Sequence, residues 1–188
     1  MNREDAWKIV CEFVTTDSLR NHALAVEACM KYYARMFGED EDSWGIVGLL
    51  HDFDYEIHPD EHSHPQDGAP LLLQRGVPED IVASILSHAD HLAGEYPRLT
   101  KRDKTLAAVD QLSGLCTAVA LVRPSRSIFE VDVRAVKKKW KDKAFARTVN
   151  REEVDRYTRE FGFPLDEHII HVIKALSDQA DELGLRGS

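Results

Sequence analysis

The sequence predicts an all-α fold. Nearly every segment carries a 3.6-residue apolar period, no stretch shows period-two alternation closed by hairpin turns, and prolines and glycines fall where helices begin and end. With 188 residues, 43% of them hydrophobic and 30% charged, the chain can close one sizeable core and does not demand two. The expectation is a single domain over 1–188, a bundle of about eight or nine helices, with a core over about 18–123 and a helical extension over about 124–188.

The elements follow in order. A first helix is expected from about Arg3 to Thr15, and a second from Ser18 to Phe37, with Asp17 as N-cap and Gly38 at its end. A third covers about Asp42 to Asp52. The acidic stretch from Phe53 to Ser63 contains Pro59, lacks a period and reads as a loop. Pro65 opens a fourth helix that stops at Gly76, and Pro78 opens a fifth that ends near His88. Irregular sequence from Ala89 to Thr100 precedes a long sixth helix from about Arg102 to Val122. After Pro124 comes the basic helix Val133 to Trp140. Asn150 with Glu153 forms a capping box for a helix ending at Gly162, and Asp166 caps a last helix that fades at Gly184.

Composition narrows the function classes. A net charge of −9 and a pI near 5.4 argue against a surface that wraps nucleic acid. Cys11, Cys29 and Cys116 are odd in number, far apart and set in apolar patterns, which predicts reduced, buried thiols rather than disulfides or a four-cysteine zinc site. The charged start, Met1 to Lys8, is unlike a secretory signal, and no apolar run approaches the roughly 20 residues needed to span a bilayer. A cytoplasmic protein with no membrane partner is expected.

Six of the nine histidines fall between His51 and His91, and His51-Asp52 is an adjacent pair at the end of the apolar run Trp44 to Leu50. Imidazole and carboxylate set in apolar sequence are costly to bury without a partner, and a divalent metal is the natural one. His22 shares a helical face with Leu19, Val26, Cys29 and Tyr33; His88 follows Ile81 and Ile85; Asp110 lies among Leu106, Ala107, Val109 and Leu112. A buried lone histidine is ordinarily a core residue. A carboxylate among those neighbours needs a cation or several donors. Gly45 and Gly48, one turn apart before His51, allow close approach of another backbone or of substrate.

The order His22, His51-Asp52, Asp110 resembles the HD superfamily of metal-dependent phosphohydrolases, over about Ser18 to Ser113. His64, followed by Pro65 and Gly68-Ala69, and His88 match the two further histidines of its branches that hold a dinuclear site. The resemblance implies metal ligands His22, His51, Asp52, His64, His88 and Asp110, with Asp52 bridging two cations. His22, His51 and Asp110 would complete one, and His64 and His88 the other; with a single cation, His64 and His88 would meet substrate phosphate or orient a water. One or two divalent ions per chain are expected, with manganese, iron, magnesium, nickel and zinc all admitted by the donor types. The stretch after Ser113 resembles a branch of predicted HD hydrolases. Phe53-Asp54-Tyr55-Glu56 stands where many HD proteins have Ile-Gly, and the Gly-Tyr-Pro of the cyclic-dinucleotide branch is absent, so no specificity transfers from those relatives.

The expected activity is hydrolysis of a phosphate monoester or diester of a nucleotide or other small metabolite. Asp52 and Asp54 are the candidate catalytic residues, Asp54 as general base or as orienter of the attacking water. Arg20, Lys137 and Lys138 are candidate phosphate contacts, the last two within a cluster completed by Lys139, Lys141 and Lys143. His58 and His62 compete for ligand roles from the loop, whereas His168 and His171 read as packing or surface residues. Two other readings stay open: a di-iron oxygenase on the same fold, and a noncatalytic HD domain that binds a nucleotide. A homodimer is left open.

Overall fold

The computed structural model describes residues 1–60 and 62–187; Glu61, inside the expected acidic loop, and the C-terminal Ser188 lie outside them. The described residues form nine α-helices and no strand: α1 (Arg3–Phe13), α2 (Asp17–Phe37), α3 (Glu41–Leu50), α4 (Ala69–Gln74), α5 (Glu79–Leu86), α6 (Lys101–Leu121), α7 (Val133–Trp140), α8 (Arg151–Phe161) and α9 (Leu165–Asp178). No described helix is long and apolar enough to cross a membrane. Contacts divide the chain into two compact units, Met1–Leu106 and Ala107–Ser188, and the division falls inside the continuous helix α6.

The first unit is built around α3. Every residue from Trp44 to Leu50 is buried, the mark of a helix enclosed on all sides, and α1, α2 and α5 pack on it. Gly48 explains how α2 comes so close. A Cβ there would stand 3.0 Å from the Cα and the backbone nitrogen of Glu27, so only glycine admits the neighbouring helix. At Gly45 the obstacle is the side chain of Lys31, which can move. These glycines therefore serve helix packing. Glu27, buried at the same contact, is held by Arg3 at 2.5 and 2.9 Å and by Lys31 at 2.8 Å.

The first turns of α6 belong to this unit. Thr100 and Asp103 form a reciprocal capping box, the Asp103 N–H donating to Thr100 Oγ1 at 3.1 Å and the Thr100 N–H to Asp103 Oδ2 at 2.9 Å. Ser84 on α5 donates to the same carboxylate at 2.6 Å, and Arg102 reaches Ser43 on α3, Ser84 and Asp80. The start of α6 is thus bolted to α3 and α5.

In the second unit, Tyr157 and Phe161 of α8 pack on Ala107 and Ala108 of α6. The cap of α8 differs from the simple box. Asn150 accepts from Glu152 and Glu153, but its own N–H donates to Gln111 Oε1 at 2.6 Å while Gln111 Nε2 donates to Glu153 at 2.8 Å, so the Gln111 amide bridges the two halves. His168 is fully buried and bonds through Nε2 to the Ala108 carbonyl at 2.9 Å. Burial and the nearby His171 push its pKa down to about 4, against the pull of that carbonyl. Cys11 is half-buried, Cys29 and Cys116 are buried, and burial pushes the Cys116 thiol up to about 12.

Several expected boundaries shift for physical reasons. Asp17 is the first residue of α2 rather than its cap, which is Thr16. Asp166 lies in the first turn of α9, whose start is set by Pro164, a residue with no N–H to lose. Pro65 opens only turns, and regular helix begins at Ala69. The stretch after Phe53 is a loop as expected, its start wound into turns in which Ile57 and His58 both donate to the Asp54 carbonyl.

Two outcomes are expected. Gly48→Ala should destabilise the chain by about 1–3 kcal/mol, because backbone cannot yield, whereas Gly45→Ala should be close to neutral; urea melts of the two variants distinguish backbone from side-chain contact. For His168 the folded pKa of about 4 lies below its ordinary 6.5, so the folded chain binds fewer protons between those values. Its stability is whole above pH 6.5 and falls toward pH 4, by on the order of 3 kcal/mol. Melts of wild type and His168→Gln across that range should show the slope reduced in the variant.

Candidate metal centre

The Asp52 carboxylate organises the first unit's polar residues. His22 comes from the second turn of α2, His51 caps the C-terminal end of α3, Asp52 follows in the next turn, His64 stands in the turns before α4, and His88 lies two residues past α5. All four imidazoles present Nε2 to Asp52. His22 and His51 approach Oδ2 at 3.7 and 3.4 Å, and His64 and His88 approach Oδ1 at 3.1 and 3.8 Å. The donor atoms of His22, His51 and Asp52 lie within 4.8 Å of one another, as do those of Asp52, His64 and His88. Each set can hold a metal ion.

Three of the rings are fixed from the opposite side by a bond that leaves Nε2 available. His51 Nδ1 donates to the Gly48 carbonyl at 2.8 Å and His88 Nδ1 to the Ile85 carbonyl at 2.5 Å, each using an acceptor exposed where its helix ends. His64 Nδ1 donates to Asp54 Oδ1 at 2.8 Å. A neutral ring with its proton on Nδ1 offers a lone pair at Nε2, the tautomer a metal requires.

Asp54, expected as a base or an orienter of water, is fully buried and orients a histidine. Its Oδ2 is packed against Gly68, where a Cβ would lie 2.3 Å from it. Glycine at 68 is the condition for a carboxylate beneath His64.

Burial raises the pKa of Asp52, but the His51 and His64 imidazoles outweigh it and hold the carboxyl well below the usual range. Burial likewise lowers His64, while Asp52 and Asp54 raise it further, to about 9. In the metal-free chain His64 therefore carries a proton at neutral pH, and binding of a cation there is coupled to loss of that proton. His64 and His88 face each other at 3.3 Å between their Nε2 atoms.

The other predicted residues stand as follows along the fold. Arg20, expected at phosphate, donates to the carbonyls of Val14 and Cys11 at 2.8 and 3.1 Å and closes the end of α1, which has no glycine to do so. Lys137 pairs with Asp166 at 2.8 Å and Lys139 lies over the Phe145 ring, both within the second unit; Lys138 is exposed on the same helix. Asp110 is half-buried on α6, one turn beyond Leu106. His58 is half-buried and His62 exposed, the latter against His91. Reading the sequence missed Arg98, whose guanidinium binds the carbonyls of Ser87 and His88 and the carboxylate of Asp90, holding the turn that presents His88. It also missed Glu56, which accepts from the Thr15 N–H and hydroxyl and from the Thr16 N–H; the Thr16 and Thr15 bonds bring its pKa down to about 2.

The chain belongs to the HD domain family, whose pattern matches residues 19–115. It is similar to Ribonuclease Y of Thermotoga petrophila and of Thermotoga maritima, each 31% identical over 136 residues. That match covers 70% of this chain and 26% of each relative, so the chain spans about a quarter of the length of these relatives. No solved structure gives a significant match.

Asp54→Asn should leave the fold intact and weaken metal binding at the His64 and His88 side by about 10- to 100-fold. Gly68→Ala, which displaces the same carboxylate, should give the same loss. Metal titration of the purified variants checks both, and undiminished affinity in both would remove Asp54 from the centre.

Proposed function

We propose that this chain is a metal-dependent phosphohydrolase that cleaves a phosphate ester of a small metabolite or nucleotide. The observation that carries the reading is the Asp52 carboxylate set between two pairs of imidazole Nε2 atoms, one pair at each oxygen. The donor set of neutral imidazoles and a carboxylate fits a divalent ion. In this reading His22, His51 and Asp52 would hold one cation, with Asp110 as the family's further ligand, and Asp52, His64 and His88 would hold a second. Asp110 is assigned by the ligand order of the family, whose match extends past it to residue 115.

A divalent metal bound there supplies a water acidified toward neutral pH and a polarised phosphoryl oxygen. The protein does the rest. Asp52 shares its negative charge between the two sides of the centre, the Gly48 and Ile85 carbonyls and Asp54 fix the rings, and Arg98 holds the backbone behind His88. Asp54 acts as a positioning residue for His64 rather than as the base that meets substrate, because its carboxylate is buried against Gly68.

Similarity to Ribonuclease Y supports a second reading, in which the ester is a phosphodiester within RNA. The net charge of −9 favours the small substrate, since contact with many phosphates calls for a basic surface.

The test is hydrolysis of a panel of nucleoside monophosphates, sugar phosphates, cyclic nucleotides and short RNA by protein stripped of metal and reloaded with manganese, iron, magnesium, nickel or zinc. Asp52→Ala should lose both metal and hydrolysis, and full activity in that variant would sink the assignment. Cleavage of RNA alone would select the second reading. Iron-dependent oxygen uptake without phosphate release would replace both with the oxygenase.

A further inference from the structure

The segment after the metal centre is pinned at several points and leaves two apolar side chains exposed. Phe53 is buried with its ring edge-on to Phe13 at 5.5 Å, Asp54 is buried beneath His64, and Glu56 is clamped by Thr15 and Thr16. The backbone is wound by bonds from Tyr55 to the Asp52 carbonyl and from Ile57 and His58 to that of Asp54. Tyr55, between two of these anchors, and Ile57, just past the last, stand out, 42% and 45% exposed.

Single exposed apolar residues are ordinary. Tyr55 differs in position, because its ring packs against the His64 ring with centroids 5.3 Å apart and planes at 82°, and His64 Nε2 is 3.1 Å from Asp52. An aromatic surface is thereby held, on a fixed backbone, at the rim of the centre where a phosphate ester would be cut. Its π-face suits a flat ring of the substrate, and such stacking accepts any base because every base has a π-face.

We infer that Tyr55 is a specificity-determining wall that selects phosphate esters carrying a planar aromatic ring over bare sugar phosphates. The inference rests on the phosphohydrolase reading and names its substrate class. Glu56 is a positioning residue for this wall, tying it to the connection between α1 and α2.

The experiment compares adenosine monophosphate with ribose 5-phosphate, which share a primary alkoxide leaving group and differ by the base. Wild type should prefer the nucleotide in kcat/KM. Tyr55→Ala should lower that preference by about tenfold or more, mainly through KM for the nucleotide, since one stacked base is worth about a factor of ten or more. Tyr55→Trp should keep the preference. Wild type that does not prefer the nucleotide overturns the inference, as does Tyr55→Ala that slows both esters by the same factor, which would make Tyr55 a prop for His64. If wild type hydrolyses neither ester, the hydrolase reading is decided by the wider panel of esters, and calorimetric titration with adenosine monophosphate decides the wall by itself. Binding lost in Tyr55→Ala and kept in Tyr55→Trp upholds it, and binding absent in wild type or equal in Tyr55→Ala removes it.

Discussion

The first unit is arranged around one negative charge. A carboxylate with only 19% of its side chain exposed is unfavourable unless positive or donor groups surround it, and Asp52 is met by imidazoles from four separate segments. No two of those segments can be displaced without exposing the charge to an apolar core. The packing of α2 on α3, the turns before α4 and the end of α5 are all conditions for the same set of distances. Metal and core are thus not independent requirements: the residues that would bind one are seated by the other.

The ligands share a local device. His51 and His88 both stand at a helix end and donate Nδ1–H to the carbonyl three residues back, an acceptor the helix has left over. A helix terminus thereby orients an imidazole at no cost in buried polar partners. His64 has no helix before it, and Asp54 takes the place of the carbonyl. Burial lowers the pKa of His64, but Asp52 first and this charged acceptor, Asp54, second raise it to about 9 in the metal-free chain.

Much of this was legible in advance. Apolar period and Pro and Gly punctuation predicted α6 and α7 to within a residue or so, because those signals are local. The residues set around Asp52 could be named from the resemblance of their order to the HD pattern. The backing groups were not legible. That Asp54 turns inward depends on the absent side chain at Gly68, and that Arg20 turns to α1 depends on how α1 ends, both facts of tertiary packing. Arg98 lies in irregular sequence with no period to mark it, and the bridging of the α8 cap by Gln111 joins residues 39 apart. Sequence pattern locates what faces a site more readily than what holds it.

The contact between Asp54 and Gly68 also limits how this centre can vary. The two positions behave as one character: a side chain at 68 fits only if the residue at 54 is shorter, and a shorter residue at 54 no longer reaches His64. A related chain that gains a methyl at 68 must therefore give up the carboxylate, and with it one of the two acids that raise His64. A position with no chemistry of its own thus decides whether the half of the centre formed by His64 and His88 keeps an acidic or a neutral backing, and so which cations it can retain.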